Sequence, residues 1–142
     1  MINDKSYNQQ KIYLKRYRKN ILLIDRLEEK LARLDDRIFK IKSTTFGDQP
    51  KGGIPISLDE LLADKEDLNI RINKLLVRGR KYKQEIEQQI DSLEDVRYAE
   101  ILEMFFIELK DFEIIADELG YTIRHVIRLY SEAIDILAMS LR

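Results

Sequence analysis

Three side chains near the C-terminal end have the types and spacing to read nucleic-acid bases. They are Arg124, His125 and Arg128, within the stretch TIRHVIRLY. Arg124 and Arg128 are four residues apart, so on a helix they share one face, one turn from each other. Two arginines so placed can enter a major groove together, and a bidentate arginine on guanine discriminates by about 1–3 kcal/mol. Ile123 beside them offers an apolar contact for a thymine methyl. Thr122 is of the residue type that caps a helix start, where free N–H groups suit a phosphate oxygen. His125 reads either as a further base or backbone contact or as a plain surface histidine.

A reading face needs a second helix to brace it. In DFEIIADELGYTIRHVIRLYSEAI, Ala116 is small where two helices would cross closely, and Gly120 follows in the turn. Val126, Leu129 and Ala133 then fall on the face opposite the arginines. Ile115, Leu119 and Tyr121 supply apolar positions around the turn. This spacing is that of a helix-turn-helix, with Asp111 capping the first helix and the recognition helix over 123–137. A plain helical hairpin using the same glycine turn is the alternative. Ile127 and Tyr130 are expected to pack on a neighbour rather than on DNA. Just upstream, VRYAEILEMFFIEL reads as one short helix with Ile101, Leu102, Phe105, Phe106 and Leu109 available for a core.

The first ninety residues have another texture. Apolar residues from Leu14 to Ile41 recur in steps of three and four, the seam of a long amphipathic helix. The segment STTFGDQPKGGIPIS, 43–57, holds both prolines and three glycines and reads as a loop. Ser57 and Glu60 have capping-box spacing, and a second seam runs from Leu58 to Leu93. Lys65 and Gly79 occupy seam positions where apolar residues are expected. Gly79 marks either a close approach or a bend. Two seams joined by a loop imply a long antiparallel coiled-coil hairpin, within one chain or between two chains as a homodimer.

In the hairpin, Lys15, Arg16, Arg18 and Lys19 would stand across from Arg78, Arg80, Lys81 and Lys83. These eight are candidate phosphate contacts, or else solvated faces neutralised by Asp25, Glu85 and Glu87. They matter because the C-terminal 47 residues carry 5 basic against 9 acidic side chains, whereas residues 1–42 carry 12 against 6. Grip on DNA depends on neutralised phosphates, so the hairpin is expected to supply what the C-terminal segment lacks.

Composition narrows the remaining classes. The chain has no cysteine and one histidine, which argues against thiolate chemistry, disulfides and a metal site. Carboxylates are many, but no Gly-rich phosphate loop accompanies them, and KGGIP is too short for one. No enzyme, cofactor or small-molecule substrate is expected. The N-terminal stretch lacks the apolar core of a signal peptide and no window has the length of a membrane span, so the expected location is the cytoplasm.

The segment from Tyr98 to Leu137 resembles region 4 of bacterial sigma factors. It is more similar still to the ArpU/RinA type of phage and prophage regulators of Gram-positive bacteria. The matching residues are Phe112-Glu113, Ile115-Ala116, Leu119-Gly120-Tyr121-Thr122, Arg124-His125-Val126, Arg128-Leu129 and Ala133. The resemblance implies double-stranded DNA as partner, control of phage genes, and RNA polymerase as a neighbour. It gives the DNA-reading role to Arg124, His125 and Arg128. The chain departs from the pattern at Leu109, where many relatives have glycine, and at Glu132, where a basic residue is common.

The expectation is therefore an all-α protein, with a helical hairpin over 1–91 and a helix-turn-helix domain over 92–142, acting as a sequence-specific transcriptional regulator. The alternative is an adaptor like sigma region 4 that binds RNA polymerase or another protein without reading DNA.

Overall fold

The computed structural model describes residues 4–44 and 57–140. Most of the loop expected at 43–57 therefore lies outside the described residues. Among the described residues the chain is all-helical: α1 (Asp4–Leu14), α2 (Arg16–Thr44), α3 (Leu58–Asp91), α4 (Val96–Leu102), a π-helical turn (Glu103–Ile107), α5 (Phe112–Leu119) and α6 (Ile123–Met139). No helix among them is long and apolar enough to cross a membrane.

α1 and α2 nearly merge. Lys15 between them donates its N–H to the Lys11 carbonyl at 3.0 Å and accepts from Lys19 at 2.9 Å. α3 begins where expected, since Ser57 Oγ accepts from the Asp59 N–H at 3.2 Å. That satisfies one of the orphan donors of a helix start.

Packing divides the chain into two compact units, and the division is not at the 91/92 boundary that the change in sequence texture suggests. One unit is Ile21–Arg78; the other joins Met1–Asn20 to Gly79–Arg142.

In the first unit the seams of α2 and α3 meet. Ile24 and Leu27 cluster with Ile72, and Leu34 and Ile38 with Leu61. Numbers fall along one helix as they rise along the other. Lys65, the cation in the seam, lies half-buried and reaches Asp35 at 2.8 Å.

In the second unit one core gathers residues from both ends of the chain. Leu14, Ile86 and Ile90 pack with Ile101, Phe106, Ile134 and their neighbours. α1 lies against α6, and buried Gln10 donates a hydrogen bond to Gln89. Gly79, the other anomaly of the seam, is buried here. A Cβ on it would stand 2.6 Å from Asn20 Nδ2, so glycine permits a close approach rather than marking a bend.

The short apolar helix of the sequence reading becomes two pieces. Asp95 caps α4 by accepting from Arg97 N–H at 2.9 Å, and its carboxyl is held below the usual range chiefly by the Arg97 side chain. After Leu102 the chain widens into the π turn, closed by Glu108 N–H on the Glu103 carbonyl at 3.0 Å. A π turn inserts a residue, which brings Met104, Phe105 and Phe106 all inward. Leu109 then takes a left-handed conformation, φ 60°, and Lys110 N–H closes on the Met104 carbonyl at 2.9 Å. Left-handed backbone is costly for a residue with a Cβ, and this is the position where glycine is expected by resemblance.

Candidate nucleic-acid interface

α5 and α6 are joined at a single left-handed residue. Gly120 has φ 70°, its N–H caps the Ala116 carbonyl, and Tyr121 N–H closes on the same oxygen at 2.9 Å. No heavy atom lies within 4 Å of where its Cβ would be, so glycine is required there by backbone conformation and not by crowding. Thr122 Oγ1 then accepts from the His125 N–H at 3.1 Å, which starts α6.

The faces of α6 separate as the spacing implies. Val126, Leu129 and Ala133 are buried in one core with Ile115 and Ala116, and α6 packs on α1, α4 and α5. Tyr130 is buried too, in an aromatic group with Phe105, Phe106 and Phe112 whose centroids lie 4.7–5.7 Å apart. Burial pushes its phenol upward in pKa.

The outer face carries Ile123, Arg124, Ile127 and Arg128, all exposed, so Ile127, expected to pack on a neighbour, stands on the open face instead. Arg128 Nη2 lies 2.8 Å from His125 Nδ1. A guanidinium can only donate, so Nδ1 accepts and the ring proton sits on Nε2, which is left as a donor. The Tyr121 ring stands edge-on to the imidazole at 4.8 Å and fixes its plane. Arg124 forms no ion pair among the described residues. The start of α6 thus presents one oriented His–Arg pair and one uncompensated arginine.

Two arginines expected to meet phosphate are engaged elsewhere. Arg16 pairs with Glu85 at 2.7 Å between the rings of Tyr13 and Tyr82, at 3.8 and 4.5 Å. That hydrogen bond is the main reason the Glu85 carboxyl sits below its ordinary pKa. Arg18 donates to the Phe105 carbonyl at 3.2 Å and to Asp111 at 3.3 Å, with its guanidinium 4.6 Å above the Phe105 ring. Arg18 was not legible as a positioning residue, because its partners are some ninety positions away. Asp111 consequently heads α5 by position but turns its carboxylate to Arg18 and makes no side-chain cap.

Lys15 is half-buried; desolvation, then Lys11 and Arg18, lower its pKa. Lys19, Arg80 and Lys81 are exposed, Lys83 is half-buried, and Arg78 is exposed on the Ile21–Arg78 unit.

Around α6 the remaining charges are largely paired. Arg97 lies on Asp95, and Lys110 on Glu108 and Glu118 at 3.3 and 2.8 Å. Glu132 accepts from the Tyr98 hydroxyl at 2.8 Å. Arg142 lies outside the described residues. Compared with protein-family models, with curated proteins and with solved structures, the chain matches none.

Proposed function

We propose that this chain is a sequence-specific DNA-binding transcriptional regulator of the phage and prophage type. In this reading α5, the Gly120 turn and α6 are a helix-turn-helix, and α2 with α3 is an antiparallel hairpin stalk. The observation that carries the reading is the polarity of α6. Its buried face packs on α1, α4 and α5, while Arg124 and Arg128 stand exposed toward its N-terminal end. Arg124 and Arg128 contact base edges, His125 orients Arg128 and offers Nε2–H to a base or phosphate, and Ile123 meets a thymine methyl. Thr122 places the first N–H groups of α6 near a backbone phosphate.

The test is binding of the full chain to DNA from its own genomic neighbourhood, against unrelated DNA of equal length. Preference for the former is expected, and Arg124→Ala with Arg128→Ala should remove it, each arginine contributing about 1–3 kcal/mol of discrimination. Equal binding of both DNAs by the unaltered protein would refute the reading.

A second reading has its own observation. The outer side of α5 exposes Glu113, Asp117 and Glu118 beside Ile114, which borders a shallow concavity reaching Tyr121 and Ile123. An acidic surface with an exposed isoleucine suits a protein partner, of which RNA polymerase is the candidate. Under that reading, Ile114→Ala weakens capture of polymerase and the double arginine variant does not.

A further inference from the structure

The side chains flanking the α2–α3 seam are sorted by charge along α2 and, on α3, from Arg71 onward, after Glu60 and Asp67 at the equivalent positions before Leu61 and Leu68. On α2, Arg26, Lys30, Arg33 and Arg37 each stand one position before a seam residue: Leu27, Leu31, Leu34 and Ile38. Asp25, Glu28 and Asp35 each stand one position after one. On α3, Arg71, Lys74 and Arg78 again stand one position before Ile72, Leu75 and Gly79. When two helices meet in opposite directions, the same flank of each faces the same side of the pair. The two basic rows must therefore converge.

They do converge. Arg26, Lys30, Arg71, Lys74 and Arg78 line one concavity over a leucine floor, with no carboxylate among the lining residues. Lys30, Arg33, Arg37 and Arg71 line the next, where Asp64 and Asp67 also stand. Lys30 and Arg71 belong to both, so the two form one groove. All seven cations are exposed, and none makes an ion pair among the described residues. The chain has 26 acidic residues against 25 basic, so this separation is one of placement and not of supply.

Like charges gathered in two facing rows repel unless an anion lies between them. From Arg26 to Arg37 the groove runs about 17 Å, at about 1.5 Å per helical residue. Over that length a duplex offers about ten phosphates, at about one per 1.7 Å. Duplex DNA is straight on this scale, with a persistence length of about 50 nm, which suits a groove built from two rigid helices. The geometry points to this groove as a docking surface for the phosphate backbone of double-stranded DNA. It is distinct from the start of α6 and carries no sequence information, since backbone contacts grip without reading.

The experiment measures the affinity of the full chain for duplex DNA over a salt series. The groove variant is Arg26→Gln, Lys30→Gln, Lys74→Gln and Arg78→Gln; the comparison variant is Lys5→Gln, Lys40→Gln and Lys42→Gln, exposed cations outside the groove. Each lost phosphate contact flattens the slope of log affinity against log salt by about 0.9, so the groove variant, with four cations removed, should lose about 3.6. Between 50 and 200 mM salt that amounts to roughly 150-fold less weakening. The half-variants, Arg26/Lys30→Gln and Lys74/Arg78→Gln, should each lose about half as much and guard against a folding defect in the whole set. An unchanged slope, or an equal change in the comparison variant per charge removed, overturns the groove.

A dimer that the groove variant dissociates while its DNA slope stays unchanged also overturns it, in favour of a second copy as occupant. Loss of sequence preference in the Arg124/Arg128 variant with its slope kept bears on the α6 reading alone. Salt-sensitive binding with no preference between DNAs refutes that reading and leaves the groove standing.

Discussion

Replacing Gly79 with alanine sets two known effects against each other at one contact. In a helix interior alanine is favoured over glycine by about 1 kcal/mol. Against that, the new Cβ would lie 2.6 Å from Asn20 Nδ2 and 3.8 Å from Asn20 Cγ. Ordinary contact needs nearly 1 Å more. Asn20 is 4% exposed, so its amide has little open space to swing into. Overpacking of this kind costs about 1–3 kcal/mol, and displacing a buried amide from its partners costs a similar amount. With about 2 kcal/mol as the central cost, Gly79→Ala is expected to destabilise by about 1 kcal/mol. In an Asn20→Ala background the obstacle is gone and the same change should stabilise by about 1 kcal/mol. The coupling is then about 2 kcal/mol, well above the few tenths expected of independent sites. Urea unfolding followed by helical circular dichroism on the four proteins of the cycle measures it. Equal stabilisation by alanine in both backgrounds would refute the close approach and leave Gly79 as an ordinary weak point in the helix.

Two further outcomes follow from local geometry. Gly120→Ala should cost about 1–2 kcal/mol through backbone conformation alone, since its Cβ site is open; Leu109→Gly, at the same kind of φ, should be near neutral while Leu109→Val destabilises. Thermal unfolding of the three variants checks the order, and a tolerated Leu109→Val would contradict the left-handed turn. Glu85 has its folded pKa lowered by Arg16, so the stability it contributes is fully present above its unfolded value of about 4.3 and is lost as pH falls through the lower folded value. Glu85→Gln should therefore flatten the acid limb of the stability profile below about pH 4.3, leaving its shape above that unchanged; an unaltered acid limb would show that the Arg16 pair adds nothing.

The turn around Gly120 was legible because each of its residues has a local reason. A left-handed φ asks for glycine, a helix start asks for Thr122, and a close crossing asks for Ala116. The π turn was not legible. Helical periodicity gives Ile101, Leu102, Phe105, Phe106 and Leu109 as core candidates and passes over Met104. With the inserted residue Met104 is buried beside the two phenylalanines, while Leu109 is only half-buried and outside the core. The association of α1 with α6 was hidden for a different reason. The segment DKSYNQQKIYL is mostly polar, and it packs through Tyr7, Tyr13 and Leu14 with Gln10 hidden among them. No periodic count marks such a helix as half of a core whose other half lies at the far end of the chain. Arg16 and Arg18 looked like surface charge for the same reason. Glu85, Phe105 and Asp111 come into reach only through that long-range packing.

The proposed groove draws its charge from residues that a count by segment does not single out. Counting charges by segment places the excess at the start of the chain and leads to Lys15–Lys19. Placement on the helices leads elsewhere, to residues one step before each seam position, where a run of cations is invisible to a count because Asp25, Glu28 and Asp35 interrupt it in sequence. Interruption in sequence is separation in space when the intervening residue falls on the other flank of the helix. The same logic explains how a chain of net charge −1 can hold a groove lined by seven cations, five of them around a concavity with no carboxylate in its lining. On the proposed function, reading and gripping of DNA are divided between surfaces. The few side chains at the start of α6 then need no help from α5, whose exposed face can remain acidic.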